Sequence, residues 1–267
     1  MSRLRSTVSQ LWPRVAAIAG LLLLWQLVAA SGFFSQTVLP PPSRVVSSFL
    51  RNFVEPNPPR ESILAGTQAS LIRLGVGLAV GILVGTFVGL TMAASTYVHR
   101  SVGSLMAGLQ ALPSISWLPL AMLWFGFTER AVLFVVIIGS IPAVSIATAS
   151  SVRLVPPLLV RAGRTMGARG WTLYRRVVLP AAVPGYVAGL QQAWALGWRA
   201  LMAGELILMA TGGKGLGHLL EANRQLQQTS AVFAVMIMIM FVGMAVEATF
   251  GAVDRRVRGR RGLLVRA

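Results

Sequence analysis

The chain has 267 residues, 55% hydrophobic and 12% charged, with a mean hydropathy of +0.71 and a formal net charge of +17. So little polar surface cannot cover a soluble globule of this size, and several apolar runs reach the roughly 20 residues that a helix needs to cross a bilayer; a barrel would need short alternating strands instead. The positive residues sit beside apolar runs and do not form a stripe interleaved with aromatics, which argues against nucleic acid, and the lack of Cys with His99 far from His218 argues against thiol or metal chemistry, so no catalytic residue, bound metal or bound cofactor is expected.

Arg3, Arg5 and Arg14 precede an apolar run over 15–30 that ends in Val28-Ala29-Ala30. Because more spans follow, an uncleaved first helix entered from the cytoplasm is the more economical reading, with a cleaved signal peptide as the alternative. Leu39-Pro-Pro-Pro-Ser43 then breaks the helix. Ser43 can cap a short amphipathic helix carrying Val45, Val46, Phe49, Leu50, Phe53 and Val54, either interfacial or packed on its neighbours, before Pro56, Pro58 and Pro59 end it.

The second span, 63–94, sets Gly77, Gly81, Gly85 and Gly89 at four-residue spacing, the pattern that lets helix backbones approach closely. Arg73, near its outer end, is expected to snorkel to the interface. His99 and Arg100 mark a return to the cytoplasm. The apolar run 101–127 then contains Pro113 and Pro119, so its helix should be kinked or broken, which makes 113–124 either a cavity wall or a packing kink and Pro113, Trp117 and Trp124 candidates for a translocation path.

Glu129 and Arg130 make a short outer turn, and 131–151, with Pro142, brings the chain back inside. The stretch from Arg161 to Pro180 follows, with Arg161, Arg164, Arg169, Arg175 and Arg176 and no acidic residue. It reads as a cytoplasmic handle gripped by a partner, in which Gly167 permits a tight turn or close approach, 169–178 forms a short helix exposing Trp171 and Tyr174, and Pro180 stops that helix. A fifth span beyond Pro184 to about Met209, an outer loop with Lys214, His218, Glu221 and Arg224, and a sixth span over 231–253 complete the pattern.

The expected division is a cytoplasmic tail (1–14), a transmembrane region (15–253) with a coupling loop at about 153–183, and a basic cytoplasmic tail (254–267). Of the 24 Lys and Arg residues, this topology puts 16 inside and 6 outside, with Arg73 and Arg199 in spans, so both termini are expected to be cytoplasmic. Lys214, in Gly-Gly-Lys-Gly, lacks the spaced upstream glycine and the following Ser or Thr of a P-loop, so any ATP must be bound by another polypeptide.

Arg199 and Glu205 stand in the fifth span, six residues and about 120° apart around the helix, poorly placed to pair with each other. Glu205 can reach the outer interface, whereas Arg199 is deep. Arg199 either attracts an anionic solute or pairs across an interface, or it snorkels or makes a structural pair. With the neighbouring Trp198, both residues join the path candidates.

Several pieces in order carry a family resemblance: Leu39-Pro-Pro-Pro-Ser43, Ser70-Leu-Ile-Arg73-Leu-Gly75, Leu112-Pro113, Trp117-Leu-Pro-Leu-Ala-Met-Leu-Trp124-Phe-Gly126-Phe-Thr-Glu129, Gly163-Arg-Thr-Met-Gly167-Ala168, Val178-Leu179-Pro180, Trp198-Arg199-Ala-Leu-Met-Ala-Gly-Glu205, Gly215-Leu-Gly217 and Asp254-Arg255. The chain resembles the permease subunits of bacterial ATP-binding-cassette importers, specifically the nitrate, sulfonate and taurine branch. The resemblance implies an all-helical inner-membrane permease of about six spans, with a coupling helix between spans four and five that docks on the ATPase subunit. It also implies ATP and Mg on that partner, a second permease copy or paralogue, an extracytoplasmic solute-binding protein, and import of a small solute by alternating access.

The coupling residues carried over are Arg161, Ala162, Gly163, Arg164, Gly167, Ala168, Trp171, Tyr174, Leu179 and Pro180. The family pattern begins Glu-Ala-Ala, where this chain reads Arg161-Ala162-Gly163, so a compensating partner charge, a weaker contact or pairing with a different permease is expected. An ion-coupled secondary transporter is a second reading, weakened by the lack of an internal repeat, and a non-transporting structural subunit is a third.

Overall fold

With no water in hydrocarbon to satisfy N–H and C=O groups, apolar runs must close their own backbone bonds, and among the described residues the chain is helix and connecting turn with no strand. The computed structural model describes residues 2–54, 61–207 and 214–259. The Pro56, Pro58 and Pro59 loop, Met209 at the end of the expected fifth span, and the basic residues from Arg260 onward lie outside the described residues.

The helices are α1 (Ser2–Ala30), α2 (Pro42–Val54), α3 (Ile63–Ala94), α4 (Thr96–Ala111), α5 (Leu118–Phe125), α6 (Glu129–Arg153), α7 (Pro157–Thr165), α8 (Gly170–Leu173), α9 (Leu179–Ile207), α10 (Leu216–Gln225) and α11 (Thr229–Gly259). Among the described residues, α3, α6 and α11 are long and apolar enough to cross a membrane, and α4 with α5 makes a fourth crossing if taken as one broken span. At 29 residues α9 is long enough, but Gln191, Gln192, Arg199 and Glu205 make it more polar than these. Both His99 and Arg100 lie inside α4, which starts directly after the Ser95 cap, so the expected return loop is a single residue. Helix α11 continues six residues past the expected end of the sixth span at Val253.

Helix α6 is the centre of the bundle, with α3 on one side and α9 on the other. The glycine stripe of α3 makes this possible. Gly77, Gly81, Gly85 and Gly89 are all buried and face Val136, Ser140, Val144 and Thr148 of α6, which repeat at the same four-residue spacing. A Cβ at Gly85 would stand 2.9 Å from the Ile141 carbonyl oxygen, and one at Gly89 would stand 2.6 Å from that of Ser145. Neither clash can be relieved by a side-chain rotation, because the obstacle is backbone. On the other flank, Thr86 of α3 shares a 2.8 Å hydrogen bond with Tyr186 of α9.

The bundle therefore has two defined ends. One gathers the starts of α3, α6 and α11 with the end of α9, while the other gathers the ends of α3 and α6, the start of α9 and helices α7 and α8. The 32 residues of α3 separate these ends by about 48 Å at 1.5 Å per residue. Leu83 and Phe87 of α3 and Leu23 and Leu27 of α1 are more than 60% exposed, the surface expected where lipid or another subunit completes the packing.

Candidate functional site

The arginine-rich stretch is two short helices joined by a tight turn. Prolines at 156 and 157 start α7, the second with its fixed φ in the first turn. Its end is a Schellman motif: Gly167 N donates to the Arg164 carbonyl at 3.0 Å and Ala168 N to that of Gly163 at 3.0 Å, with Gly167 at φ +86°. No atom lies within 4 Å of a Cβ built at Gly167, so glycine serves the turn there and not a close approach. Gly163 has the opposite reason. It is buried, and a Cβ would stand 2.9 Å from both Leu173 and Val177, so α7 folds back directly onto the following helix.

Arg161, Ala162, Arg164, Gly167, Trp171 and Pro180 are exposed, Ala168, Tyr174 and Leu179 are half-buried, and Trp171 reaches 71% exposure. Tyr174 is not displayed as expected; it packs on the cluster of Val152, Val155, Val178 and Ala182. Pro180 does not stop a helix either. The chain winds through a wide π turn at Tyr174–Val178, closed by Leu179 N to the Tyr174 carbonyl, and Pro180 sits in the first turn of α9, where its missing N–H is accommodated. Beside the handle, a hollow of about 360 Å³ is lined by Arg153, Arg161, Arg164 and Tyr174 among apolar neighbours.

Mid-bundle, the expected break occurs. Leu112 adopts extended backbone before Pro113, a 3-10 turn runs over Ser114–Trp117, and the helix resumes as α5 with its axis bent by 96°. The break opens a cavity of about 370 Å³ that brings together Pro113, Trp117 and Arg199. Gln110 and Ser114, which sequence reasoning did not single out, line it with them, and Gln110 Oε1 is buried without a hydrogen-bond partner. Arg199 is exposed in the chain and takes part in none of the ion pairs among the described residues.

Trp124, Trp198 and Glu205 do not line this cavity. Trp124 is 58% exposed and meets Phe134 edge-on with ring centroids 5.5 Å apart, while Trp198 is buried and stacked on Trp194 at 5.9 Å. Glu205 lies about 9 Å further along α9 and, at 4% exposure, is closed off from the surface it was expected to reach.

Its carboxylate accepts from Arg73 and from Ser70 Oγ at 2.8 Å, and Gly217 N donates to it at 3.0 Å. Arg73 also donates to Glu129 at 2.6 Å and to the Lys214 carbonyl at 3.1 Å, and Leu216 N donates to Ser70 Oγ at 2.9 Å. Arg73 is therefore a buried hub and not a snorkelling side chain, because three acceptors on α6, α9 and the 214–217 segment meet it within the protein. Within the expected outer loop, Leu216–Gln225 forms helix α10, whose Leu216, Leu219 and Asn223 are buried at helical spacing. The signal for this lock was present in the sequence as Ser70 and Arg73, three residues apart on one helix face.

The described residues thus form a helical bundle with one helix broken at mid-length and a compact basic turn at one end. The same fold is found in the inward-facing methionine transporter MetNI, with a TM-score of 0.60 at 20% identity over 72% of this chain and 94% of that one. An amino acid ABC transporter solved with histidines is similar, with a TM-score of 0.57 at 19% identity over 74% of this chain and 93% of that one.

Residues 79–259 match the family described as the binding-protein-dependent transport system inner membrane component, and the chain belongs to that family. Among its relatives, the taurine transport system permease protein of Escherichia coli is 27% identical over 91% of this chain and 87% of its own length. The nitrate import permease protein of Leptolyngbya laminosa is 26% identical over 94% and 89%, and the bicarbonate transport system permease protein of Synechococcus elongatus 27% over 87% and 84%. The chain is thus a permease subunit of an ABC importer, a transport component and not an enzyme.

Proposed function

We propose that this permease admits a small organic or inorganic oxyanion, such as a sulfonate, taurine or nitrate, through the cavity at the broken helix. The observation that carries this reading is Arg199, a cation without a protein counter-charge among the described residues, in a largely apolar wall beside the Ser114 hydroxyl. A guanidinium at such depth is costly unless water or an anion meets it, and its planar fork of donors matches an oxyanion. The solutes in the names of the taurine, nitrate and bicarbonate permeases all carry an oxyanion group.

The six spans in this reading are α1, α3, the broken α4 and α5 pair, α6, α9 and α11, in the inner membrane of a bacterial cell. An even number of crossings, with the arginine-rich handle opposite the Glu205 end, supports cytoplasmic termini. The exposed handle docks on an ABC ATPase that carries the ATP and Mg, a second permease copy or paralogue covers the open side of Arg199, and an extracytoplasmic binding protein delivers solute at the Glu205 end. Closure of the ATPases moves the handle and swings the spans between inward and outward access. At the handle hollow, Arg161 stands where the family pattern has Glu, so the matching ATPase surface presents an acid to it.

Uptake by the assembled complex tests the oxyanion path. Arg199→Ala should lower ATP-driven uptake about tenfold or more, the value of one charge-assisted hydrogen bond, while assembly is retained. Unchanged uptake by an intact Arg199→Ala complex contradicts the role given to Arg199.

A further inference from the structure

A second polar hollow lies elsewhere, at the end of the bundle away from the handle. It encloses about 630 Å³ between α2 and the junction of α10 with α11, and its walls are Gln36, Thr37, Arg44, Ser47, Ser48, Arg51, Asn52 and the run Gln227–Ala231. Two arginines and a ring of hydroxyls and amides face it, with no acidic residue in the wall. Arg44 and Arg51 are exposed and join no ion pair among the described residues; Arg51 makes only a long bond, 3.4 Å, from Nε to the Ser47 carbonyl.

Helix α2 explains how such a cleft meets lipid. At 100° per residue it has three faces. Val45 is buried with Phe49 and Phe53 packed on the core, Val46, Leu50 and Val54 form an apolar stripe 56%, 69% and 65% exposed, and Arg44, Ser47, Ser48 and Arg51 line the cleft. The exposed apolar stripe and the cationic face are adjacent on one helix, and Phe33 and Val38, earlier in the chain, are 90% and 62% exposed. That arrangement suits a helix lying at the boundary of acyl chains and headgroups.

We propose that this cleft binds the phosphate-bearing headgroup of an anionic phospholipid, with Arg44 and Arg51 holding the phosphate, the surrounding hydroxyls and amides meeting the rest of the headgroup, and the acyl chains lying along Val46, Leu50 and Val54. The volume, room for about 20 waters at roughly 30 Å³ each, is much larger than one inorganic anion fills and suits a headgroup with its glycerol. The inference needs the chain to be embedded in a membrane but not the oxyanion reading of the central cavity, so the two fail separately.

The test is native mass spectrometry of the full chain in a neutral detergent, titrated separately with phosphatidylglycerol, phosphatidylcholine and inorganic phosphate. Phosphatidylglycerol should bind at about one site per chain, tighter than phosphatidylcholine, and millimolar phosphate should not displace it. The double variant Arg44→Gln/Arg51→Gln should lose at least about tenfold in affinity for phosphatidylglycerol. Arg44→Lys/Arg51→Lys, which keeps the charge, should retain most of it, and Arg255→Gln/Arg256→Gln, the same charge change at the far end of α11, should leave this site intact. Equal binding of the two lipids, displacement by phosphate alone, or undiminished binding in the Gln variant overturns the proposal. No lipid binding at all also overturns it and leaves the cleft to an acidic protein surface.

Discussion

Removing one partner of the Arg73 and Glu205 pair leaves the other charge stranded at 8% or 4% exposure. Breaking a buried pair in this way costs about 3–5 kcal/mol, whereas replacing both partners with apolar residues is often close to neutral. Arg73→Met and Glu205→Leu should therefore each lower the thermal midpoint of the detergent-solubilised protein strongly, and the double variant should recover a substantial part of the loss. Additive losses in the double variant would contradict direct pairing. The arm from Arg73 to Glu129 is different, because Glu129 is 67% exposed and such pairs contribute about 0–1 kcal/mol.

At this scale the sequence was legible only in part. The depth of Arg199 and its inability to pair with Glu205 follow from helix geometry within one segment. The side-chain partners of Glu205 lie 135 and 132 residues away, on a helix that sequence spacing alone cannot bring alongside. For that reason the snorkelling expected of Arg73 was wrong in kind: an interfacial arginine and a buried hub look the same until the helices around them are placed.

Among the elements, the glycine stripe was legible because close approach requires small residues in a register that one helix displays by itself. Its partner stripe on α6, at 136, 140, 144 and 148, contains Val, Ser and Thr and gives no comparable signal. Gly89→Leu should destabilise the α3 and α6 contact by about 1–3 kcal/mol or more, since its Cβ meets a carbonyl oxygen, while Gly75→Leu, with no atom within 4 Å of its Cβ, should be tolerated. Comparable melting losses in the two variants would count against backbone contact as the cause.

The handle was recognisable from charge and proline, but its ending was misjudged, because a π turn lets the helix carry Pro180 forward. Helix α10 was hidden for another reason: a ten-residue element is too short to stand out from a polar connection. For the handle we expect Gly167→Val, forced to φ +86°, and Trp171→Ala, losing its exposed ring, to leave membrane insertion unchanged but to reduce copurification of the partner ATPase. Full copurification with both variants would remove the handle from the docking interface.

For the whole molecule, the composition made membrane helices unavoidable, and the break at Pro113 followed from the chemistry of proline. What the chain did not disclose was how that break and Arg199 share one cavity. The bundle places this cavity between the Arg73 lock at one end and the handle at the other, the arrangement that the proposed alternating access requires. Arg199 is exposed in the single chain, and in the proposed assembly a second permease covers it.

The most direct measurement is uptake of a labelled sulfonate into proteoliposomes containing this chain, its ATPase and its binding protein, with and without ATP inside the compartment that the handle faces. Uptake that requires ATP, stops with vanadate and ignores imposed ion gradients is the expected result. Uptake by this chain alone, driven by an ion gradient and indifferent to ATP, would contradict the account.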